Sequence, residues 1–162
     1  MKYLFRLIIV ASILFTCVSS SHAQNVRYSS DGCSIKCSVI KQDSAYYIIA
    51  TASSSRMFFL HEPTMKIRTF NNEVIALKGV VINNGSISAG IVAGNIVMPV
   101  TELKSTAQFS VTPAQFEQLN NGVAKVRLSM SPQNHERTFK KDKIGKKLYQ
   151  FYLDVKDKEE NF

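Results

Sequence analysis

A rhythm of two limits what this chain can fold into. In "CSIKCSV" the apolar residues Cys33, Ile35, Cys37 and Val39 alternate with Ser34, Lys36 and Ser38. That spacing puts alternate side chains of an extended strand on opposite faces, one buried and one wet. It recurs in "MKIRTF" (65–70), "AQFSV" (107–111) and "VAKVRLSM" (123–130), while "AYYIIATA" (45–52) is β-branched and aromatic throughout. Turn residues punctuate the runs: "DG" at 31–32, "QDS" at 42–44, "NN" at 71–72, "NNGS" at 83–86 and "SPQN" at 131–134. "QDS" and "NN" each join two strand-like runs, which predicts two hairpins, the second ending in "EVIALKGVVI" (73–82). "ISAGIVAGNIVMPV" (87–100) is apolar but broken by Gly90 and Gly94, with Pro99 near its end. Glycine weakens a helix interior and proline suits a sheet edge, so the expectation there is two short strands or a bulged edge.

Two segments change period. Thr112 is placed to cap a helix, Pro113 suits its first position, Phe116 and Leu119 share a face and Gly122 ends the turn, giving a short helix over about 113–120. At the C-terminus Ile144, Leu148, Phe151, Tyr152 and Val155 form one stripe opposite Lys143, Lys146, Lys147 and Asp154, an amphipathic helix over about 142–157. The expected fold is therefore all-β or mainly β: an antiparallel sandwich or barrel of about 8–10 short strands carrying these two helices.

The first 23 residues read as an address. A basic start with Lys2 and Arg6, an apolar run "LIIVASILFTCV" and a small-residue site ending at Ala23 have the layout of a secretory signal peptide. The run is shorter than the roughly 20 residues a spanning helix needs, and no later segment is longer, so no transmembrane helix is expected in the mature chain. A lipid anchor at Cys17 is disfavoured, because Thr16 and the bulky Phe15 stand where such signals carry small residues. Residues 24–162 then form a single β-rich domain, long enough to bury a core.

Export sharpens the question of the cysteines. With both sulfurs inward on a strand, residues 33 and 37 lie roughly 13 Å apart, beyond the reach of about 7 Å between the alpha carbons of a disulfide. A Cys33–Cys37 disulfide is thus possible but disfavoured; a curl at Asp31-Gly32 would shorten the span, and an oxidising compartment favours pairing. The same separation argues against a shared metal, since zinc thiolates come in closer pairs and the mature chain adds only His61 and His135 at no recognisable spacing. Neither a metal nor another cofactor is expected.

Reactive motifs are equally thin. "HERTF" at 135–139 and "HEPTM" at 61–65 lack the second histidine of the metalloprotease helix. No nucleophile elbow or phosphate loop occurs, and the glycines do not space as a dinucleotide fingerprint. Each histidine precedes a glutamate, but sequence neighbours on a strand face opposite ways and are poorly placed to pair. Acceptor patterns for N-glycosylation at Asn84 and O-glycosylation at Ser44 are short tripeptides.

Charge is the strongest local signal. Arg137, Lys140, Lys141, Lys143, Lys146 and Lys147 crowd eleven residues that hold one acid, Asp142, and the chain after residue 23 has 18 basic against 12 acidic residues. Such a patch draws anionic partners. An exported chain seldom meets nucleic acid, and the aromatics near the patch are needed by the helix's apolar stripe, so the partner expected is a protein, a glycan or an anionic envelope surface. The function expected is an exported, non-catalytic binding or accessory protein of the bacterial cell envelope. The alternative is a small envelope hydrolase whose carboxylate or histidine site matches no known motif.

Overall fold

A computed structural model of the chain describes residues 24–30, 32–56, 58–93 and 96–160. The expected signal peptide and Cys17 lie outside the described residues. Eight strands follow in order, β1 (Val26–Ser30), β2 (Cys33–Gln42), β3 (Ala45–Ser54), β4 (Thr64–Thr69), β5 (Val74–Ala93), β6 (Ile96–Val111), β7 (Val123–Leu128) and β8 (His135–Thr138). Helix α1 (Pro113–Leu119) lies between β6 and β7, and α2 (Gly145–Glu160) ends the described chain. The strands form one sheet in the order β1-β2-β3-β6-β5-β4-β7-β8, with every neighbouring pair antiparallel.

The sheet curls until its ends nearly meet. Tyr28 of β1 lies 5.8 Å from the ring of His135 on β8 and 5.9 Å from Phe139 just beyond it. The result is an almost closed barrel, an antiparallel answer to exposed edges. Its interior follows the alternation: Ile35 and Cys37 of β2, Ile48 and Ala50 of β3, Met65 and Ile67 of β4, Ala107 and Phe109 of β6, and Val126 and Leu128 of β7 are all buried.

Both hairpins expected from polar punctuation are present. Gln42 pairs with Ala45 across Asp43-Ser44, and Arg68 with Val74 across a turn in which Asn72 has φ 67°. Strand β5 serves two halves of the sheet. Residues Val74 to Lys78 pair with β4, and from Gly79 onward the strand pairs with β6. Gly79 sits beneath the Phe109 ring, where an added Cβ would lie 2.7 Å from the ring and 2.9 Å from the Gln108 carbonyl oxygen. Only glycine lets the two strands approach so closely.

The helices close one mouth. Thr112 Oγ1 accepts from Gln115 N at 3.3 Å while Gln115 Oε1 accepts from Thr112 N at 2.9 Å, a reciprocal cap on α1. Phe116 stacks on Tyr152 of α2 at 4.6 Å, and Tyr46 of β3 meets Tyr152 edge-on at 4.9 Å. Ile144, Leu148 and Tyr152 are buried against this cluster, while Phe151 and Val155 of the same stripe are half-buried.

Two local expectations need correcting. "NNGS" does not turn: Asn83 and Asn84 continue β5, paired with Thr106 and Ser105. The register shift between Val81 and Asn83 absorbs one residue as a bulge, and the Ser105 hydroxyl bonds Asn84 Oδ1, so the asparagine's polarity is met across the strand. Residues 87–100 are not short separate strands but parts of one long hairpin in which Ala93 pairs with Ile96.

Candidate functional site

Residues distant in sequence meet at the helix-capped mouth. Alternation turns Val26 and Tyr28 inward and leaves Arg27 exposed. The nearly closed sheet brings β1 beside the entry of α2, where Arg27, Lys143, Lys146 and Lys147 line one open groove of about 840 Å³ with Asn25, Val26 and Asp142. Lys143, Lys146 and Lys147 are exposed, and no ion pair among the described residues engages them or Arg27.

Asp142, the groove's one carboxylate, is already occupied. Its Oδ1 accepts from Val123 N at 3.0 Å, Ile144 N at 3.3 Å and Gly145 N at 2.8 Å, and its Oδ2 accepts from Lys146 N at 2.9 Å. Partial burial pushes this carboxyl's pKa up, but the four backbone donors outweigh it and hold the group below its usual range. Asp142 thus caps α2 and ties it to β7, leaving the groove with four cations aimed at solvent.

The six basic residues singled out in the sequence are therefore divided. Lys143, Lys146 and Lys147 converge on the groove; Lys140 and Lys141 are exposed before it, and Arg137 sits on β8 opposite Val126. Arg27 was missed because "VRYSS" offers only five residues of alternation. Its signal was Arg27 standing between two apolar positions.

Sequence reading also missed a second basic surface. Lys66 faces Arg127 and Arg68 faces Lys125 directly across β4 and β7, all on the outer face, where like-charged pairs are unfavourable. Glu136 bridges Lys125 and approaches Arg127 at 4.0 Å; the Lys125 hydrogen bond, then the surrounding cations, hold its carboxyl low. The i, i+2 spacing of these residues was visible, but their meeting depended on which strands pair.

The residues of the hydrolase alternative assemble poorly. Cys33 and His135 share a crevice of about 140 Å³ with Ser54, Arg56 and Asn134. Burial raises the Cys33 pKa, with a backbone hydrogen bond from Ser53 opposing, so the sulfur is a neutral thiol at neutral pH and a weak nucleophile. Glu136 points to the outer face, away from buried His135, and His61 is exposed before β4. Cys33 and Cys37 are free and buried at inward positions. Among the described residues no three His, Cys, Asp or Glu side chains gather as a metal site would need, and no helix is long and apolar enough to cross a membrane. Asn84 lies exposed on a strand rather than in a turn, and Ser44 is exposed in the β2–β3 turn.

No protein-family model matches the chain, and no curated protein or solved structure matches it significantly.

Proposed function

We propose that this chain is an exported, non-catalytic binding protein of the bacterial envelope whose ligand is anionic and sits in the groove between β1 and α2. The observation that carries the reading is the convergence of Arg27 with Lys143, Lys146 and Lys147 around a carboxylate already consumed by backbone donors. Cations without acidic partners favour a ligand that brings its own negative charge, and an open groove lined by four of them suits a polyanion such as an acidic glycan. Location in the envelope rests on the leader-like residues 1–23.

Retention on immobilised dextran sulfate tests the site. Lys143→Glu with Lys147→Glu is expected to lower the sodium chloride concentration for elution well below wild type. Lys66→Glu with Arg68→Glu makes the same change in net charge on the β4–β7 face and is expected to have a much smaller effect. Equal losses from the two pairs would mean net charge rather than a site, and would sink the proposal. Both pairs replace exposed side chains, so far-UV circular dichroism should match wild type.

A further inference from the structure

The β5–β6 hairpin outruns the barrel. Strand β3 follows β6 only as far as Leu103, opposite Ser86, and beyond that pair β5 and β6 have, among the described residues, only each other as strand partners. From Ser86 to Ala93 the ribbon projects roughly 24 Å at about 3.4 Å per residue. Residues 79–101 carry no charge. The projecting pairs are mostly apolar, including Ala89 with Val100, Ile91 with Met98 and Ala93 with Ile96. On the body β5 exposes Val80 at 72% and Ile82 at 53%, and at the base of the ribbon Ile87 at 52%. An isolated two-stranded ribbon is at best marginally stable in water, and exposed strands are usually guarded by lysine, proline or bulges.

The two outer edges of the ribbon differ in those guards. The free edge of β6 runs only from Ile96 to Glu102 and includes Pro99, which has no N–H, and a terminal acid. The free edge of β5 runs on from the bulge at Ile82, through Asn83 to Ala93, eleven residues without charge or proline. Unpaired N–H and C=O groups along such an edge are bonded by water and stand ready as a template for another strand. Lipid cannot supply one, since an open sheet edge is not tolerated in hydrocarbon. A charged partner would find nothing to pair with on this stretch. A copy of the same edge, running antiparallel about a two-fold axis, satisfies the backbone groups and meets uncharged residues with uncharged residues.

We propose that the protein self-associates through the outer edge of β5, with the Asn83–Ala93 segments of two copies pairing antiparallel near Ser88. Ser88 is the midpoint of this edge and is exposed, so its counterpart lies opposite it in the pair. Sedimentation velocity of the full chain from 1 to 100 µM is expected to show a reversible dimer. Ser88→Lys and Ser88→Glu, each alone, place like charges across the axis and are expected to weaken the dimer roughly a hundredfold. Their equimolar mixture is expected to recover it as a one-to-one heterodimer, a rescue that misfolding could not produce. Hydrogen exchange gives a second readout: amides of residues 83–93 should gain protection with concentration while those of 97–102 do not. A monomer across the range overturns the proposal, whether or not it floats with phosphatidylglycerol vesicles. So does a dimer indifferent to both Ser88 charges or protected at 97–102 instead.

Discussion

Tyr28 carries a hydroxyl buried with no hydrogen-bond partner among the described residues. Burial, then nearby Cys37 and Cys33, drive its pKa well above the ordinary phenol value, and burial pushes Cys37 up to about 12 from 9.0. Both groups are neutral well below pH 9, folded or unfolded, so their contribution to stability is fully present there. As pH rises from 9 towards 12 the unfolded chain releases protons that the folded chain keeps, and stability falls, by up to ~4 kcal/mol from Cys37 alone at the top of that window. Urea unfolding at pH 7 and 10.5 should show this loss. Tyr28→Phe should raise stability at pH 7 by about 1 kcal/mol, because it removes an unsatisfied buried hydroxyl, and should flatten the alkaline decline; a lower urea midpoint at pH 7 would contradict this. The inward direction of Cys33 and Cys37 was legible in their alternation with serine and lysine. The orphaned hydroxyl of Tyr28 was not, since its surroundings include Phe139 and His135 from the far end of the chain.

Among the elements, the long strand β5 and the entry to α2 carry the most consequence. Gly79→Ala drives a methyl group into the Phe109 ring and the Gln108 carbonyl, and should cost about 1–3 kcal/mol, read as a lower urea midpoint with the helical signal kept. Asp142→Asn keeps the side chain's shape but removes charge from a group holding four backbone N–H donors. It should cost about 1 kcal/mol or more at pH 7. Because the folded pKa of Asp142 is depressed, its contribution exists above the unfolded value of 3.8 and disappears as pH falls through the folded one. The difference between wild type and Asp142→Asn should therefore shrink on acidification, and a difference constant down to pH 2 would count against the cap. Helix α1 was legible nearly to the residue because Thr112 and Pro113 are local signals, while the reciprocal bond from Gln115 emerged only in the structure. Helix α2 begins at Gly145 rather than near 142 because the Asp142 side chain, not its backbone, starts the helix. The uninterrupted run of β5 through "NNGS" was hidden, since a bulge and the Ser105 hydroxyl, both supplied by tertiary pairing, overrode the turn preference of asparagine and glycine.

The near-closure of the sheet gives the whole molecule its chemistry. Mainly β class, antiparallel pairing and two helices were legible because alternation and caps are local, whereas strand order was not. Strand order brings Arg27 beside Lys143 and sets Lys66 against Arg127. A lysine-rich run in the sequence is a solvated helix face until a second segment arrives to shape it, and here the start of β1 does so. The groove claim is tested most directly by lysine footprinting: acetylation with and without saturating dextran sulfate, read by peptide mass spectrometry. The account expects Lys143, Lys146 and Lys147 to be shielded several-fold while Lys66 and Lys125 stay reactive. Uniform shielding of all five, or shielding confined to Lys66 and Lys125, would contradict it.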